Sequence, residues 1–317
     1  MASNKTLKYI REYKWGNIFD MIRNNNREAQ ICTDPCKGKL VVITGATAGI
    51  GLAAAHKYAS RGAHLVCINR NIEKSEKLKY EIESKYGVSC DFFIADLSSI
   101  SESMEVAHKL MWFEKPIDVL IHNAGIYLTK REMTNEGFEK VLAVHYLSSF
   151  VINYCLKEQL KLQAKARIIM VGSEGHRFAP WGLRLDDLNW EKRNYVGLMS
   201  YGSAKLAQML SMLVFDDYFK NSGVTIISMH PGAVKSETGK DNGPLYRWFK
   251  KNIMDKTLQS ADCSAEALYY LGVSPHVAGV SGKFFNLTTL EVPAPPALDK
   301  EVALELWEKT LKITQLN

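Results

Sequence analysis

No run in this 317-residue chain approaches the roughly 18 consecutive apolar positions that a membrane-crossing helix needs. Residues 1–30 also lack the apolar core of a secretory signal, so a soluble, cytoplasmic protein without a transmembrane span is expected. Pro/Gly/Ser-rich linkers, internal repeats and low-complexity tracts are missing as well, which argues against modules on flexible connectors. The expectation is an N-terminal extension, residues 1–38 and partly helical, followed by a single domain over residues 39–317. The six cysteines (Cys32, Cys36, Cys67, Cys90, Cys155 and Cys263) are too few and too scattered for a disulfide framework, and fit a reducing compartment. Cys32 and Cys36 flank Thr-Asp-Pro, yet no second ligand pair follows, so no metal site is expected. Forty Lys and Arg against 34 Asp and Glu leave a net charge of +6, with no basic block that would favour nucleic acid.

What the chain does have is alternation. Short runs rich in β-branched residues are separated by longer helical patterns, the rhythm of a parallel sheet covered on both faces. The pattern predicts an α/β fold, a doubly wound, Rossmann-type parallel sheet of seven strands: Leu40 to Thr44, His64 to Asn69, Ser89 to Ala95, Ile117 to His122, Arg167 to Gly172, Val224 to Met229 and Gly282 to Asn286. Helices are predicted over Gly49–Ser60, Ile72–Tyr86, Ser99–Phe113, Gly137–Leu162, Ser200–Asn221 and Ala261–Leu271. Two stretches break the rhythm, Glu174–Met199 and Ser236–Ser260. Each follows the carboxyl end of a strand, where open α/β sheets bind ligands, so both are candidate substrate walls. Near the N-terminus, Trp15, Ile18, Phe19 and Ile22 share a helical stripe beside Lys8, Arg11, Lys14 and Arg23. Packing on the domain is the favoured reading of that stripe, and peripheral contact with a membrane surface is the other.

The first strand runs into Thr44-Gly45-Ala46-Thr47-Ala48-Gly49-Ile50-Gly51, a glycine-rich turn opening a helix. Glycines let a backbone approach a diphosphate, and the free N–H groups of a helix start attract its charge. The spacing is G-x-x-x-G-x-G, distinct from the G-x-G-x-x-G fingerprint. The second strand ends in Asn69 and Arg70. A carboxylate there would favour NAD; a basic residue and no acid favours NADP(H), with NAD(H) as the alternative.

Tyr201 and Lys205 stand four apart, on one face of a helix, downstream of Ser173 at the end of a strand. Spacing by itself is weak, since Tyr246 and Lys250 share it without a comparable context. A tyrosine has a pKa near 10, so acting near neutrality requires about three units of depression, about 4 kcal/mol. The Lys205 ammonium and an oxidised nicotinamide would both act in that direction, while Ser173 could donate a hydrogen bond to the same substrate oxygen.

With these residues in view, the chain resembles a short-chain dehydrogenase/reductase, of the branch that includes retinol dehydrogenases and related carbonyl reductases. The likeness extends from Lys39 to the C-terminus. It rests on the glycine turn at 44–51, Asp96-Leu97, Asn123-Ala124-Gly125, Glu136-Gly137-Phe138-Glu139, Val171-Gly172-Ser173, Tyr201 to Lys205 and His230-Pro231-Gly232. The resemblance implies that the cofactor lies against Gly45, Thr47, Ala48, Gly49, Ile50 and Gly51, then Asn69 and Arg70, Asp96 and Leu97, Asn123, Ala124 and Gly125, and finally Pro231, Gly232 and Val234. It further implies that Tyr201 is the general acid/base, that Lys205 lowers its pKa and holds the nicotinamide ribose, and that Ser173 polarises the carbonyl. His145 stands where the family usually has an asparagine supporting a water relay to the lysine. A histidine there either holds water and shuttles protons or has a structural role.

The expected function is therefore NADP(H)-dependent interconversion of a carbonyl compound and its alcohol by hydride transfer. Phe178, Trp181, Trp190, Trp248 and Phe249 in the two irregular stretches suggest an apolar small-molecule substrate. The rival is a dinucleotide-binding regulatory or scaffolding protein with weakened chemistry, a reading fed by His145. Family members often pair through the helix carrying the tyrosine, so a homo-oligomer is a further expectation.

Overall fold

Leu-Val-Val-Ile-Thr, an unbroken apolar run closed by one threonine, forms β1 (Leu40–Thr44), buried along its whole length as a central parallel strand must be. The computed structural model describes residues 2–24, 27–232 and 260–316. Parallel neighbours of β1 are β2 (His64–Asn69) on one side and β4 (Ile117–His122) on the other. The sheet continues outward through β3 (Cys90–Ile94) at one edge, and through β5 (Arg167–Val171), β6 (Thr225–His230), β7 (Lys283–Asn286) and β8 (Thr289–Glu291) at the other. Chain order thus reverses between β1 and β4, which opens a crevice at the carboxyl ends of those strands.

Helices cover both faces. On one lie α3 (Gly49–Ser60), α4 (Ile72–Tyr86) and α9 (Ala261–Val273), packed on Val41, Ile43, Leu65 and Ile121; on the other lie α5 (Ile100–Met111), α7 (Ser148–Gln163), α8 (Gly197–Phe219) and α10 (Lys300–Thr314), packed on Val42, Val66, Leu120 and Ile168. The α8 helix is apolar nearly all round, as a helix sandwiched between sheet and neighbours should be.

Seven parallel strands stand where the alternation puts them, and the sheet has an eighth, β8, antiparallel to β7. Its turn is Leu287-Thr288, with Leu287 at a φ of 52°. Without glycine or asparagine in the left-handed position, the usual hairpin signal is missing from the sequence. The α10 helix was likewise not expected, although Asp299 caps it by accepting from the Val302 N–H at 3.1 Å. Within the stretch predicted as one helix over Gly137–Leu162, a short α6 (Lys140–Leu142) capped by Glu139 passes through a π-helical turn, Ala143–Leu147, before α7 begins. Hydrophobic periodicity does not register that extra residue, yet it decides how His145 is presented.

The extension forms α1 (Ala2–Glu12) and α2 (Trp15–Asn24). Tyr9 is buried and donates to Asp299 at 2.9 Å, and Asn24 donates to Glu291 at 2.9 Å. Thereby α1 is tied to the N-terminal cap of α10 and α2 to β8, while Leu7, Ile10 and Phe19 stay exposed. Of the expected stripe, the side chains of Trp15, Ile18 and Ile22 lie outside the description, as do Val234 and the second candidate wall up to residue 259, with Tyr246, Trp248, Phe249 and Lys250. No helix among the described residues is long and apolar enough to cross a membrane.

Close packing of α3 on α9 depends on Gly272. Tyr58 is fully buried beside it and donates to the Leu268 carbonyl at 2.7 Å, and a Cβ on Gly272 would lie 2.0 Å from the Tyr58 oxygen. Gly272→Ala is expected to lower unfolding stability by about 1–3 kcal/mol. Urea denaturation checks this; an unchanged midpoint contradicts it.

Candidate active site

One threonine hydroxyl joins the two strands that part to form the crevice. Thr44 Oγ1 accepts from the Asn123 and Ala124 N–H groups at 2.9 Å each, and Asn123 Nδ2 donates back to the Thr44 and Gly45 carbonyls at 3.0 Å. Asn123 is therefore a strut between β1 and β4 as well as part of the cleft wall. On the far side, Asn69 Oδ1 accepts from the Ala46 N–H at 2.8 Å while its Nδ2 donates to Ser75 Oγ at 3.1 Å. The glycine-rich turn is thus braced from both sides before any ligand is considered.

Gly51 is required by contact: a Cβ there would fall 2.1 Å from the Gly45 carbonyl oxygen. Gly49, at a φ of 53°, has nothing within 4 Å of that position and faces open space, and no side chain caps the α3 N-terminus at Ala48. Open N–H groups of a helix start, approached over bare glycine, suit a diphosphate. The residues present therefore fit the group that the sequence implied.

The cleft has a volume of about 590 Å³. Its walls include Gly45, Thr47, Ala48, Gly49, Ile50, Asn69, Arg70, Asp96, Leu97, Asn123, Ala124, Gly125, His145, Ser173, Tyr201, Lys205, Pro231 and Gly232. Of the residues named from sequence, Gly51 lies behind the turn rather than on the wall, and Val234 is outside the described residues. The sequence reading missed Asn71, Lys74, Ile126 and Val144, which also line the cleft, and named Gly172 and His230 in its matched segments without placing them there. Lys74 was within reach of that reading, because it stands four residues beyond Arg70 at the start of α4.

At the inner end, Ser173 Oγ accepts from the Gly175 N–H at 2.9 Å. Gly175 is tightly placed, since a Cβ would lie 2.7 Å from the Tyr201 ring. Beside it, Glu174 pairs with Arg177 at 2.5 Å and Arg177 with Glu291 at 3.0 Å, fastening the 173–178 turn to β8. Burial pushes the Glu174 carboxyl up to about 7. His145 lies under the tyrosine, its ring edge-on to that of Tyr201 at 5.2 Å between centroids. Its Nε2 contacts the Ile126 carbonyl at 2.7 Å, and Gly125 leaves it room, a Cβ there falling 2.5 Å from its Cε1. Burial first, and then the charge of Lys205, hold the imidazole well below its usual range, so it is neutral.

Lys205 is 4% exposed. Its Nζ donates to the Val171 carbonyl at 2.5 Å and to Gln208 Oε1 at 3.5 Å, and lies 5.9 Å from the Tyr201 ring centroid. The expected depression of the Tyr201 pKa by this amine is not seen. Burial raises the phenol above its ordinary value, and only its hydrogen bond with Ser173 acts in the opposite direction. The amine itself is lowered to about 7 by burial. Both groups are deprived of water, and the distance between them leaves their attraction weaker than that desolvation.

Phe178 and Trp181 are half exposed and do not line the described cleft. Trp190, also placed in the substrate wall from sequence, is buried under Arg193 at 3.6 Å, where it supports the loop.

A doubly wound sheet, a braced glycine turn at its switch point, and Ser, Tyr and Lys at the end of one cleft define the class as a dinucleotide-dependent oxidoreductase. The short chain dehydrogenase profile matches residues 39–182. Human retinol dehydrogenase 13 is 32% identical over 286 residues, covering 88% of this chain and 85% of that protein. Mouse retinol dehydrogenase 12 is 30% identical over 286 residues, covering 89% of each chain. Among solved structures, an uncharacterised Mycobacterium paratuberculosis protein superposes with a TM-score of 0.70 at 23% identity, covering 90% of this chain and 98% of that one. An Agrobacterium tumefaciens 3-oxoacyl (acyl-carrier-protein) reductase with NADP bound gives 0.62 at 18% identity, covering 80% and 94%. These two likenesses speak to the fold. The chain belongs to the short-chain dehydrogenase family, in its retinol-dehydrogenase-like branch. It is an NAD(P)-dependent oxidoreductase acting on CH–OH groups.

The buried amine has a measurable consequence. Below about pH 7 the folded protein bears the full cost of an ammonium out of water; between about 7 and the unfolded value of 10.5, the unfolded chain holds more protons, so stability rises with pH. In the cofactor-free protein, Lys205→Met is expected to flatten that rise by an amount on the order of a few kcal/mol. Urea unfolding across this pH range checks the slope; parallel curves contradict it.

Proposed function

We propose that the protein interconverts an apolar aldehyde or ketone and its alcohol with NADP(H) as the preferred dinucleotide, Tyr201 exchanging the proton on the substrate oxygen. The observation that carries this reading is the convergence of Ser173, Tyr201 and Lys205 on the inner end of the cleft whose outer end holds the glycine turn. When bound, the dinucleotide supplies or accepts the hydride. The chain's own residues do the rest. Ser173 and the Tyr201 hydroxyl, both on the inner end of the cleft, hold the substrate oxygen between them and stabilise its developing charge. Lys205, freed from water, favours the phenolate once the proton has left. His145, neutral and edge-on to the phenol, maintains the position of the Tyr201 ring and the shape of the cleft.

Preference for NADP(H) is supported by Arg70 and Lys74, two cations on the wall at the end of β2, where Asn69 replaces a carboxylate and is engaged in bracing the turn. Gly45, Thr47, Ala48, Gly49 and Ile50 are assigned to the diphosphate, with Gly51 allowing the turn to close. Asp96 and Leu97 are assigned to the adenine, and Asn123, Ala124, Gly125, Pro231, Gly232 and Val234 to the nicotinamide half. An apolar substrate is supported by Ile126 and Val144 on the wall and by the ring of Tyr127 beside Tyr201, 6.1 Å between centroids. The name of the retinol dehydrogenase relatives points in the same direction. A cytoplasmic location, with the exposed Leu7, Ile10 and Phe19 of the extension touching a membrane surface, completes the proposal.

NADPH oxidation with straight-chain aldehydes, aromatic ketones and retinal tests the reading. Tyr201→Phe is expected to lower kcat by about 10²–10⁴-fold with dinucleotide affinity retained. Equal turnover by the variant, or binding without turnover for every compound in the unaltered protein, would reject it. In parallel, Arg70→Glu is expected to weaken NADPH binding about 10- to 100-fold and leave NADH binding unchanged or improved, measured by fluorescence titration. Equal losses for both dinucleotides would remove the basis for NADP(H) preference.

A further inference from the structure

Gln208 follows Lys205 by one helical turn on α8, so the two side chains leave the helix on neighbouring paths. Around it the helix contributes Leu206, Ala207, Met209 and Leu210, all fully buried, and Gln208 itself is 2% exposed. A primary amide in such surroundings is costly unless both its ends are paired. Here both are. Its Nε2 donates to the His145 carbonyl at 3.0 Å, in the π-helical turn, and its Oε1 accepts from Lys205 Nζ at 3.5 Å. Among the described residues the amine has one other acceptor, the Val171 carbonyl of β5, which no side-chain substitution removes.

We propose that Gln208 is a positioning residue for the reaction, its amide bridging the Lys205 amine to the His145 carbonyl so that the amine is directed at the inner end of the cleft and holds its proton better than it would without that acceptor. The proposal rests on the role of Lys205 given above. Among the described residues, the titratable groups facing the amine are His145 from the π turn and Tyr201 from α8, while β5 offers only a carbonyl. His145 is neutral and Tyr201 protonated, so neither supplies a counter-charge. An oriented amide oxygen is then the one polar side-chain acceptor, among the described hydrogen bonds, that offsets the amine's burial. Because an amide neither gains nor loses a proton near neutrality, the bridge holds the amine without carrying its proton to the π turn.

The direct readout is the titration of Lys205 in the cofactor-free protein, followed through its Cε by NMR of ¹³C-lysine-labelled full-length chain, with Lys205→Met identifying the signal. Gln208→Leu is expected to move the midpoint down by about one pH unit, and Gln208→Glu, which places a carboxylate beside the amine, to move it up by at least as much. Gln208→Asn should fall between Gln208→Leu and the unaltered protein. In NADPH-dependent reduction of nonanal, or of retinal if nonanal is not turned over, the alkaline limb of kcat should shift in the same two directions. That amounts to a loss of about ten-fold on the limb for Gln208→Leu, with KM for the dinucleotide within about two-fold. A residue that only fills space would lower stability without moving the limbs apart, and if Gln208→Leu does not fold, Gln208→Glu against the unaltered protein still decides. Coincident midpoints, or separated midpoints with coincident limbs, would overturn the proposal. The reading beneath it fails separately, if Lys205→Met retains full turnover.

Discussion

Taking an amine out of water is the constraint around which this site is arranged. Lys205 projects from α8 into the floor of the cleft, where burial lowers its pKa to about 7. It meets a main-chain carbonyl at the end of β5 and an amide one turn further along α8, and that amide in turn donates to the π turn ahead of α7. Each partner has its own anchorage. Glu139, fully buried, caps α6 through the Val141 and Leu142 N–H groups and also accepts from Ser200, holding the π turn against the start of α8. Loosening any of these contacts would leave a buried donor without an acceptor, a larger penalty than the net gain from an ordinary hydrogen bond.

The same logic applies at the other end of the cleft. Thr44, Asn123 and Asn69 spend their hydrogen bonds on the backbone of the turn and strand ends, so the glycine loop is rigid without a ligand's help. Rigidity there and the desolvation around Lys205 stand at opposite ends of the cleft: on the proposed function, the glycine turn is organised to bind a dinucleotide, and the inner end holds the charge that proton transfer would use. A phenol raised by burial and an amine lowered by it are poorly matched with each other as they stand. Negative charge developing on the tyrosine would stabilise the ammonium, and the ammonium would in turn stabilise that charge, in the low-dielectric surroundings both share.

The outer shell serves the same end. Arg177 links Glu174, next to Ser173, with Glu291 of β8, and Asn24 of α2 bonds the same Glu291. The extension thus reaches the 173–178 turn through a buried charged group, although it lies far from it in sequence. Trp190 shows how composition can mislead: an aromatic residue in an irregular stretch looked like part of a substrate wall, yet its ring lies under Arg193 and supports the loop.

Alternation of apolar runs, the glycine turn and the Tyr201–Lys205 spacing were all readable from the chain, because strand burial, close backbone approach and helix periodicity leave marks in local residue order. Those marks suffice for the doubly wound fold, for the position of the cleft and for most residues on its wall. The π turn, the β7–β8 hairpin without glycine, the bracing duty of Asn69 and the partnership of Gln208 with Lys205 and His145 left no such marks. Each depends on groups that meet only after the sheet has assembled. The acidity of Tyr201 and Lys205 belongs with these: four-residue spacing puts them on one helical face, but how much water each loses, and therefore in which direction each pKa moves, is set by the walls the rest of the chain builds around them.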